Sequence, residues 1–170
     1  MDAKGVSAHC AAMKPLCRKF VSVMTLTIIT ITQPLSATDM QQDHWLDEQR
    51  SVGDWQHRQN VSESRTQYIG TGGELFSLTC SFSNQNIRLE RQVAAAQAGM
   101  MRIRTETGDR IFNAVPMAGT NTLSITLNAT DPLLDAMAIT KGRFAVEIEG
   151  ASTLYLPSWA EVTRVIEDCR

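Results

Sequence analysis

Apolar and polar residues alternate with a period of two over many short stretches of the chain. The clearest stretch is residues 75–82, where one face carries Phe76, Leu78, Cys80 and Phe82 and the other carries mainly serine and threonine. Alternation of this kind is typical of a strand that buries one face. The pattern therefore predicts a strand and places Cys80 on its inner face.

Similar alternation, with turn-forming residues between the stretches, predicts further strands along the chain. The predicted ranges are 52–56, 65–69, 87–93, 100–107, 110–115, 122–127 and 143–149, with a last strand through Leu154 and Leu156. Gly108-Asp109 is a two-residue hairpin signal between two of these strands. Such short connections join antiparallel neighbours, so the chain is predicted to be mainly β.

Two helices are predicted in the last forty residues. Asp131 followed by Pro132 is a typical helix start, because aspartate caps the first turn and proline has no N–H to leave unpaired there. A short helix is therefore expected near residues 131–140. Ser158 and Glu161 match a capping box. They predict a C-terminal helix whose apolar stripe comprises Trp159, Val162, Ile166 and Cys169.

The fold class that follows is an antiparallel sandwich or partly open barrel of seven to nine strands, with the two helices added. Cys80 and Cys169 both fall on predicted core faces, and we expect a disulfide between them to link the C-terminal helix to the sheet. Trp159 would then cover the bond. Two unrelated buried thiols are the alternative, and an even pair of cysteines in an exported chain favours the disulfide.

The N-terminal residues predict export. A basic patch, an apolar run from Phe20 to Ile31 and small residues up to Ala37 are typical of a signal peptide over residues 1–37. Translation from Met13 would also give a complete signal peptide, so either Met1 or Met13 fits as the start. The apolar run is shorter than the ~20 residues of a membrane span.

The remaining residues are predicted to form an arm and one domain. Residues 38–50 are polar and are expected to be a flexible arm, in which Trp45 either docks or stays exposed. Residues 51–170 form the single β domain. Residues 38–170 carry 12 Lys+Arg against 17 Asp+Glu, a net charge of −5. This acidic balance disfavours nucleic acid or an anionic membrane as the partner.

The sequence contains no strong catalytic or metal-binding pattern. Only His44 and His57 lie outside the predicted leader, and neither belongs to a pair with metal-ligand spacing. We therefore predict no cofactor and no metal. Glu147 and Glu149 are expected on one strand face, where two carboxylates can perform acid–base work. A solvated sheet face balanced by arginines is the simpler interpretation, and we favour it.

Arginine replaces lysine at nearly every basic position after residue 37. Several of these residues are predicted to point outward, and their planar guanidinium groups would suit a carboxylate or phosphate if they share a face. The candidate anion-binding face comprises Arg102, Arg104 and Arg143, with Arg88 and Arg110 as further outward arginines. Compositional bias with ordinary cross-strand pairing is the simpler explanation of the same pattern.

The C-terminal residues resemble a family of small exported proteins of alphaproteobacteria, of the sphingomonad type. The resemblance rests on Leu-Asp-Ala-Met-Ala at 134–138, Gly-Arg-Phe at 142–144, Leu-Pro-Ser-Trp at 156–159 and Glu-Asp-Cys-Arg at 167–170, with Leu-Thr-Cys at 78–80. Ile139-Thr140-Lys141 departs from the Phe-Ser-Arg expected there. The chain is more distantly similar to periplasmic proteins of the invasion-associated locus B type. The resemblance implies a periplasmic β fold and no activity.

Three functions are therefore weighed, and a non-enzymatic binding or envelope-associated module for a protein or small ligand is favoured. An inhibitor of a periplasmic lysozyme or protease is the second, and should show a protruding loop at 70–73 or 116–120. A carboxylate-using hydrolase is the third, and should show a pocket with titratable groups of shifted pKa. A binding module should instead show an apolar groove or a coherent charged face.

Overall fold

The structure is a computed structural model that describes residues 44–170. The expected signal peptide, Cys10, Cys17 and residues 38–43 of the expected arm lie outside the described residues. Nine strands and two α-helices make up this part of the chain. They are β1 Asp54–Gln59, β2 Glu63–Gly70, β3 Gly73–Ser81, β4 Asn86–Gln92, β5 Gly99–Thr105, β6 Gly108–Pro116, β7 Thr122–Asn128, α1 Pro132–Ile139, β8 Arg143–Ile148, β9 Leu154–Pro157 and α2 Ala160–Glu167.

All nine strands belong to one antiparallel sheet with the order β1-β2-β3-β4-β7-β6-β5-β8-β9. The sheet curls into a half-barrel, and both helices add to it, as the predicted fold class requires. The expected strands are confirmed with shifts of a few residues at their ends. Within residues 44–170, no helix is both long and apolar enough to span a membrane.

One face of the sheet forms the core because the apolar positions of successive strands lie opposite one another. Phe76, Leu78 and Cys80 on β3 are fully buried, as the alternation predicts. Each faces an inner residue of β2 or β4 across the ladder, for example Leu78 opposite Leu89. The helices cover the open side of this face with Leu134, Met137, Val162, Val165 and Ile166.

Contacts between the segment before β1 and strand β9 bring the two edges of the curled sheet together. The backbone N–H of Ser51 donates to the carbonyl of Tyr155 at 3.0 Å, and the N–H of Tyr155 donates to Ser51 Oγ at 3.0 Å. The indole N–H of Trp55 donates to the Pro157 carbonyl at 2.8 Å. Tyr68 adds a bond from its hydroxyl to the Ser51 carbonyl at 2.6 Å. We call these bonds the closure contacts.

Helix α1 begins as the sequence predicts. The Asp131 carboxylate accepts a hydrogen bond from the Leu133 N–H at 2.9 Å, and Pro132 occupies the first turn. The same carboxylate binds Arg110. Arg110 lies opposite the buried Ile103 in the ladder, but its side chain is 47% exposed, so it remains accessible to solvent as expected.

The disulfide joins Cys80 and Cys169, whose Cα atoms are 5.5 Å apart. Cys80 lies on the inner face of β3, and Cys169 follows α2 by two residues. The two side chains are 0% and 2% exposed, so the bond lies in the core. The predicted link between the C-terminal helix and the sheet is therefore confirmed.

The predicted capping box of α2 is wrong. The N-cap is Trp159, which makes no side-chain cap bond, and the Ser158 hydroxyl instead donates to the carbonyls of Met137 and Ala138 at the end of α1. Trp159 is 37% exposed and has Arg50 over its ring, so it does not cover the disulfide. The buried residues of α2 are Val162, Val165 and Ile166, so Val165 belongs to the apolar stripe and Trp159 does not.

The hairpin between β5 and β6 turns two residues earlier than predicted. Thr105 pairs with Gly108, so Glu106 and Thr107 form the turn and Gly108 already belongs to the strand. The Thr105 hydroxyl donates to the Gly108 carbonyl at 2.8 Å. The Thr105 side chain thus stabilises the turn at Glu106 and Thr107, whereas the sequence predicted the turn at Gly108 and Asp109.

Candidate functional site

A pocket of about 390 Å³ opens at one end of the half-barrel, between the β4–β5 connection and the β8–β9 turn. Its volume lies within the range of small-molecule sites, about 300–1,000 Å³. Eight of its twelve lining residues have apolar side chains, whereas polar atoms make up nearly half of its exposed surface. The apolar lining residues are Val93, Ala94, Ala95, Ala98, Met100, Leu123, Ile148 and Ala151.

The small side chains of the β4–β5 connection leave this space open. Alanine at 94, 95 and 98 fills little volume, and these three residues are exposed. The connection is held at its start by the Val93 N–H, which donates to the Asn121 carbonyl at 2.8 Å. Glu149 and Gln97 are the polar side chains of the lining. The pocket is therefore a shallow depression whose surface is partly apolar and partly polar.

Arg91 ties the two walls of the pocket together from inside the barrel. Its guanidinium donates to the carbonyl of Gln92, next to one wall, and to the carbonyl of Ser152 at 3.0 Å, next to the other. A third bond reaches the Leu75 carbonyl at 3.2 Å. Arg91 is 5% exposed, and this burial lowers the pKa of its guanidinium. The Arg91 guanidinium thus connects the two pocket walls from the inside, and we call this connection the brace.

The structure brings two of the three predicted anion-binding arginines together. Arg102 and Arg104 are neighbours on the outer face of β5, and both contact Glu147 of β8, at 3.6 Å and 3.1 Å. Arg102 also donates to Asp109 at 2.5 Å, and Arg104 lies over the ring of Trp45. Each guanidinium therefore already has an anionic or aromatic neighbour.

The other candidate residues lie apart from this pair. Arg143 is at the far end of β8, and its Nη1 atom is buried without a hydrogen-bond partner. Arg88 belongs to the other half of the sheet, where it donates to Glu90 at 2.7 Å. The anion-binding role of Arg102, Arg104 and Arg143 stays a prediction.

The two carboxylates proposed for acid–base work do not share a strand face. Glu147 lies on β8 and is paired with the arginines of β5. Glu149 lies beyond the end of β8, in the turn that lines the pocket. The strand ends at Ile148 because Glu149 and Gly150 turn the chain toward β9, with Gly150 at a φ of +76°. The alternation therefore does not continue to Glu149.

A cluster that the sequence did not reveal lies where β1 and β2 meet α2. The Ser64 hydroxyl donates to Asp168 at 2.5 Å, and His57 Nε2 lies 3.8 Å from the same carboxylate. Ser64 is fully buried and bonds to the carboxylate rather than to the imidazole, so the cluster is not arranged for nucleophilic catalysis. Burial and then the charge of Arg164 lower the pKa of His57, against Asp168 and Glu161, which raise it.

His57 makes the stability of the fold depend on pH. The unfolded chain takes up its proton near the ordinary pKa of 6.5, whereas the folded chain takes it up only at lower pH. We therefore expect the free energy of unfolding to fall as pH decreases below about 6.5. His57→Gln should remove part of this slope in urea titrations between pH 5 and pH 8. His44→Gln is the matched control, since that side chain is 68% exposed, and an equal change in both variants would contradict the assignment.

The two loops that an inhibitor would extend are both compact. Thr71-Gly72 is a two-residue turn between β2 and β3. The loop after β6 folds back on itself, since the Thr120 N–H and hydroxyl both reach the Met117 carbonyl. Within residues 44–170, no group of three or more His, Cys, Asp or Glu side chains could hold a metal ion.

No family model, curated protein or solved structure matches this chain. The resemblance to exported alphaproteobacterial proteins therefore stays a prediction. A functional interpretation has to start from the pocket, the arginine pair and the buried cluster.

Proposed function

We propose that the protein is an exported, non-enzymatic binding module of the bacterial periplasm or exterior, and that it holds an apolar group in the pocket. The group would belong to a small ligand or to a side chain of a partner protein. The observation that carries the proposal is a concave surface with eight apolar side chains, whose two walls are both bonded to the buried Arg91. A braced pocket binds at a lower ordering cost than a loose one.

The distribution of titratable groups favours binding over hydrolysis. The pocket lining includes one titratable side chain, Glu149, whereas acid–base catalysis on a glycoside needs two carboxylates. The groups with shifted pKa values, His57, Tyr68 and Arg91, are not part of the lining. The compact turns at 71–72 and 117–121 likewise support a binding module over an inhibitor with a protruding loop.

The proposed location is supported by the disulfide. A bond between Cys80 and Cys169 persists in oxidising compartments such as the periplasm, where structural disulfides are common. The signal-peptide pattern of residues 1–37 and the resemblance to exported proteins point to the same compartment.

Filling the pocket tests the proposal. Ala98→Trp would occupy the cavity from an exposed loop position, so we expect the free energy of unfolding to change by no more than about 0.5 kcal/mol. The affinity for the neutral fluorescent probe N-phenyl-1-naphthylamine should fall about tenfold, equivalent to about 1.4 kcal/mol. Fluorescence titration of the exported, processed protein measures it.

Val61→Trp is the matched control. Val61 is fully exposed at the β1–β2 turn, far along the chain from the pocket lining, and the new indole there should leave probe binding unchanged. Equal probe binding by the unsubstituted protein and the Ala98→Trp variant would show that the pocket is not the binding site.

A further inference from the structure

Strand β6 has a free edge. On one side it pairs with β5 from Gly108 to Ala114, without a register shift. On the other side, within residues 44–170, it pairs with β7 only at Val115 and Pro116. The neighbouring strand β7 diverges from it beyond that point and pairs along its full length with β4. With respect to the described residues 44–170, residues 108–114 therefore present one unpaired backbone edge.

The backbone groups that point to this edge follow from strand geometry. The N–H of Met117 donates to the Thr122 carbonyl of β7, so Met117 points to the β7 side. Alternate residues of a strand direct their N–H and C=O to the same side. Asp109, Ile111 and Asn113 therefore each offer one N–H and one C=O at the free edge.

The edge carries only part of the usual protection against pairing. Natural edge strands are commonly blocked by charged side chains, especially lysine, by proline, by a bulge or by inward-pointing charges. Residues 108–114 contain no lysine or proline, and they pair with β5 without a bulge. Ile111 is 57% exposed at the centre of the edge. The two charged residues, Asp109 and Arg110, are each engaged in an ion pair within their own chain.

We propose that a second copy of this chain pairs with β6 along this edge, antiparallel and with the two-fold axis at Ile111. Asp109 then lies opposite the partner's Asn113, and Ile111 lies opposite the partner's Ile111. All three free positions of each copy are used, which gives six backbone hydrogen bonds across the axis. On the outer face, the central contact joins two isoleucines.

The charges favour this register over its neighbours. On the inner face, Arg110 lies opposite the partner's Phe112, and its guanidinium is already 4.7 Å from the ring of its own Phe112, a geometry that a second ring can share. Moving the axis to Arg110 would place two arginines opposite each other. Moving it to Phe112 would place Asp109, a strand residue, opposite the partner's Val115, whose edge is occupied by β7. In the proposed register only Thr107, in the turn between β5 and β6, reaches that position.

The pairing is expected to be weak because a single strand edge buries little surface. Interfaces below about 1,200 Å² are typical of transient association. We therefore expect a concentration-dependent dimer rather than an obligate one. In sedimentation velocity, the weight-average mass of the exported protein should rise from that of the monomer toward twice that value as concentration increases.

Cysteine substitutions test the register directly. Opposed residues of a hydrogen-bonded antiparallel pair have Cα atoms about 5.5 Å apart, which suits a disulfide. Ile111→Cys should therefore cross-link to itself under mild oxidation. Val115→Cys is the matched control, on the same strand with the same 57% exposure. In the proposed register the two copies of residue 115 are about 27 Å apart, and we expect cross-linking about tenfold slower.

Two further single variants extend the test. Asp109→Cys and Asn113→Cys should each fail to cross-link alone and should form a heterodimer when mixed. Equal rates for Ile111→Cys and Val115→Cys would overturn the proposal. So would a monomer at every concentration of the unsubstituted protein, and this measurement does not depend on any variant folding. In that case binding of an extended synthetic peptide to β6 would assign the edge to a foreign strand.

Discussion

Replacing Cys80 and Cys169 by alanine is expected to lower the free energy of unfolding by about 3–5 kcal/mol. The bond closes a loop with a sequence separation of 89 residues. In the chain-entropy account, a loop of this size stabilises a fold by about 4–5 kcal/mol. Domains of this size have a net stability of about 5–15 kcal/mol, so the loss is a large share. Urea unfolding of the double variant and the unsubstituted protein measures it.

Reduction provides the control for this prediction. Dithiothreitol should destabilise the unsubstituted protein by a similar amount and leave the Cys80→Ala/Cys169→Ala variant unaffected, since that variant has no bond to reduce. Reduction should also be slow under native conditions because both sulfur atoms are buried. A change below about 1 kcal/mol in the double variant would show that packing of α2, rather than the bond, holds the helix on the sheet.

Trp55→Ala is expected to lower the free energy of unfolding by about 3–5 kcal/mol. Trp55 is 5% exposed, and its ring contacts Tyr68 edge-on at 5.0 Å and stacks with Phe144 at 6.5 Å. Its N–H also supplies one of the closure contacts, to the Pro157 carbonyl. Removing the side chain therefore leaves a cavity and an unpaired buried acceptor together.

Trp55→Phe separates these two effects, because it keeps most of the ring and loses only the donor. We expect a loss of about 1–3 kcal/mol from the unpaired carbonyl of Pro157. Trp159→Phe is the matched control, since Trp159 is partly exposed and makes no side-chain cap bond; it should change stability by about 0.5 kcal/mol or less. Equal losses at the two tryptophans would contradict the role given to the closure contacts.

The sequence predicts the strands and the disulfide because both follow from local rules. A period of two places Cys80 on the buried side of β3, and the periodicity of the last helix places Cys169 on its buried side. The start of α1 is equally local, since Asp131 and Pro132 act within one turn. These features need no knowledge of which strand lies beside which.

The errors arise where a distant group competes for a side chain. Ser158 matches a capping box, yet its hydroxyl binds two carbonyls at the end of α1, about twenty residues earlier. Arg110 is exposed as expected, yet its guanidinium is paired with the carboxylate of Asp131, twenty-one residues later in the chain. The local sequence pattern does not indicate these partners, because the curl of the sheet is what brings the paired residues together.

The candidate site was beyond prediction for the same reason. The pocket joins a connection near residue 95 to a turn near residue 150, and Arg91 braces it through bonds to backbone carbonyls, which any sequence would supply. The cluster of His57, Ser64 and Asp168 likewise joins residues more than a hundred positions apart. Arg91 falls on the same side of β4 as the buried Ile87 and Leu89, and this placement is a signal in the sequence that could have indicated the brace.

The closure contacts also make the first strands depend on the C-terminal end of the chain. Ser51 and Trp55 find their partners at Tyr155 and Pro157, about a hundred residues later in the chain. Loops of this length close slowly, and their contacts form late in folding. Strand β1 therefore lacks these partners until β9 is in place. A chain truncated before Leu154 would leave the edge of β1 accessible to proteases.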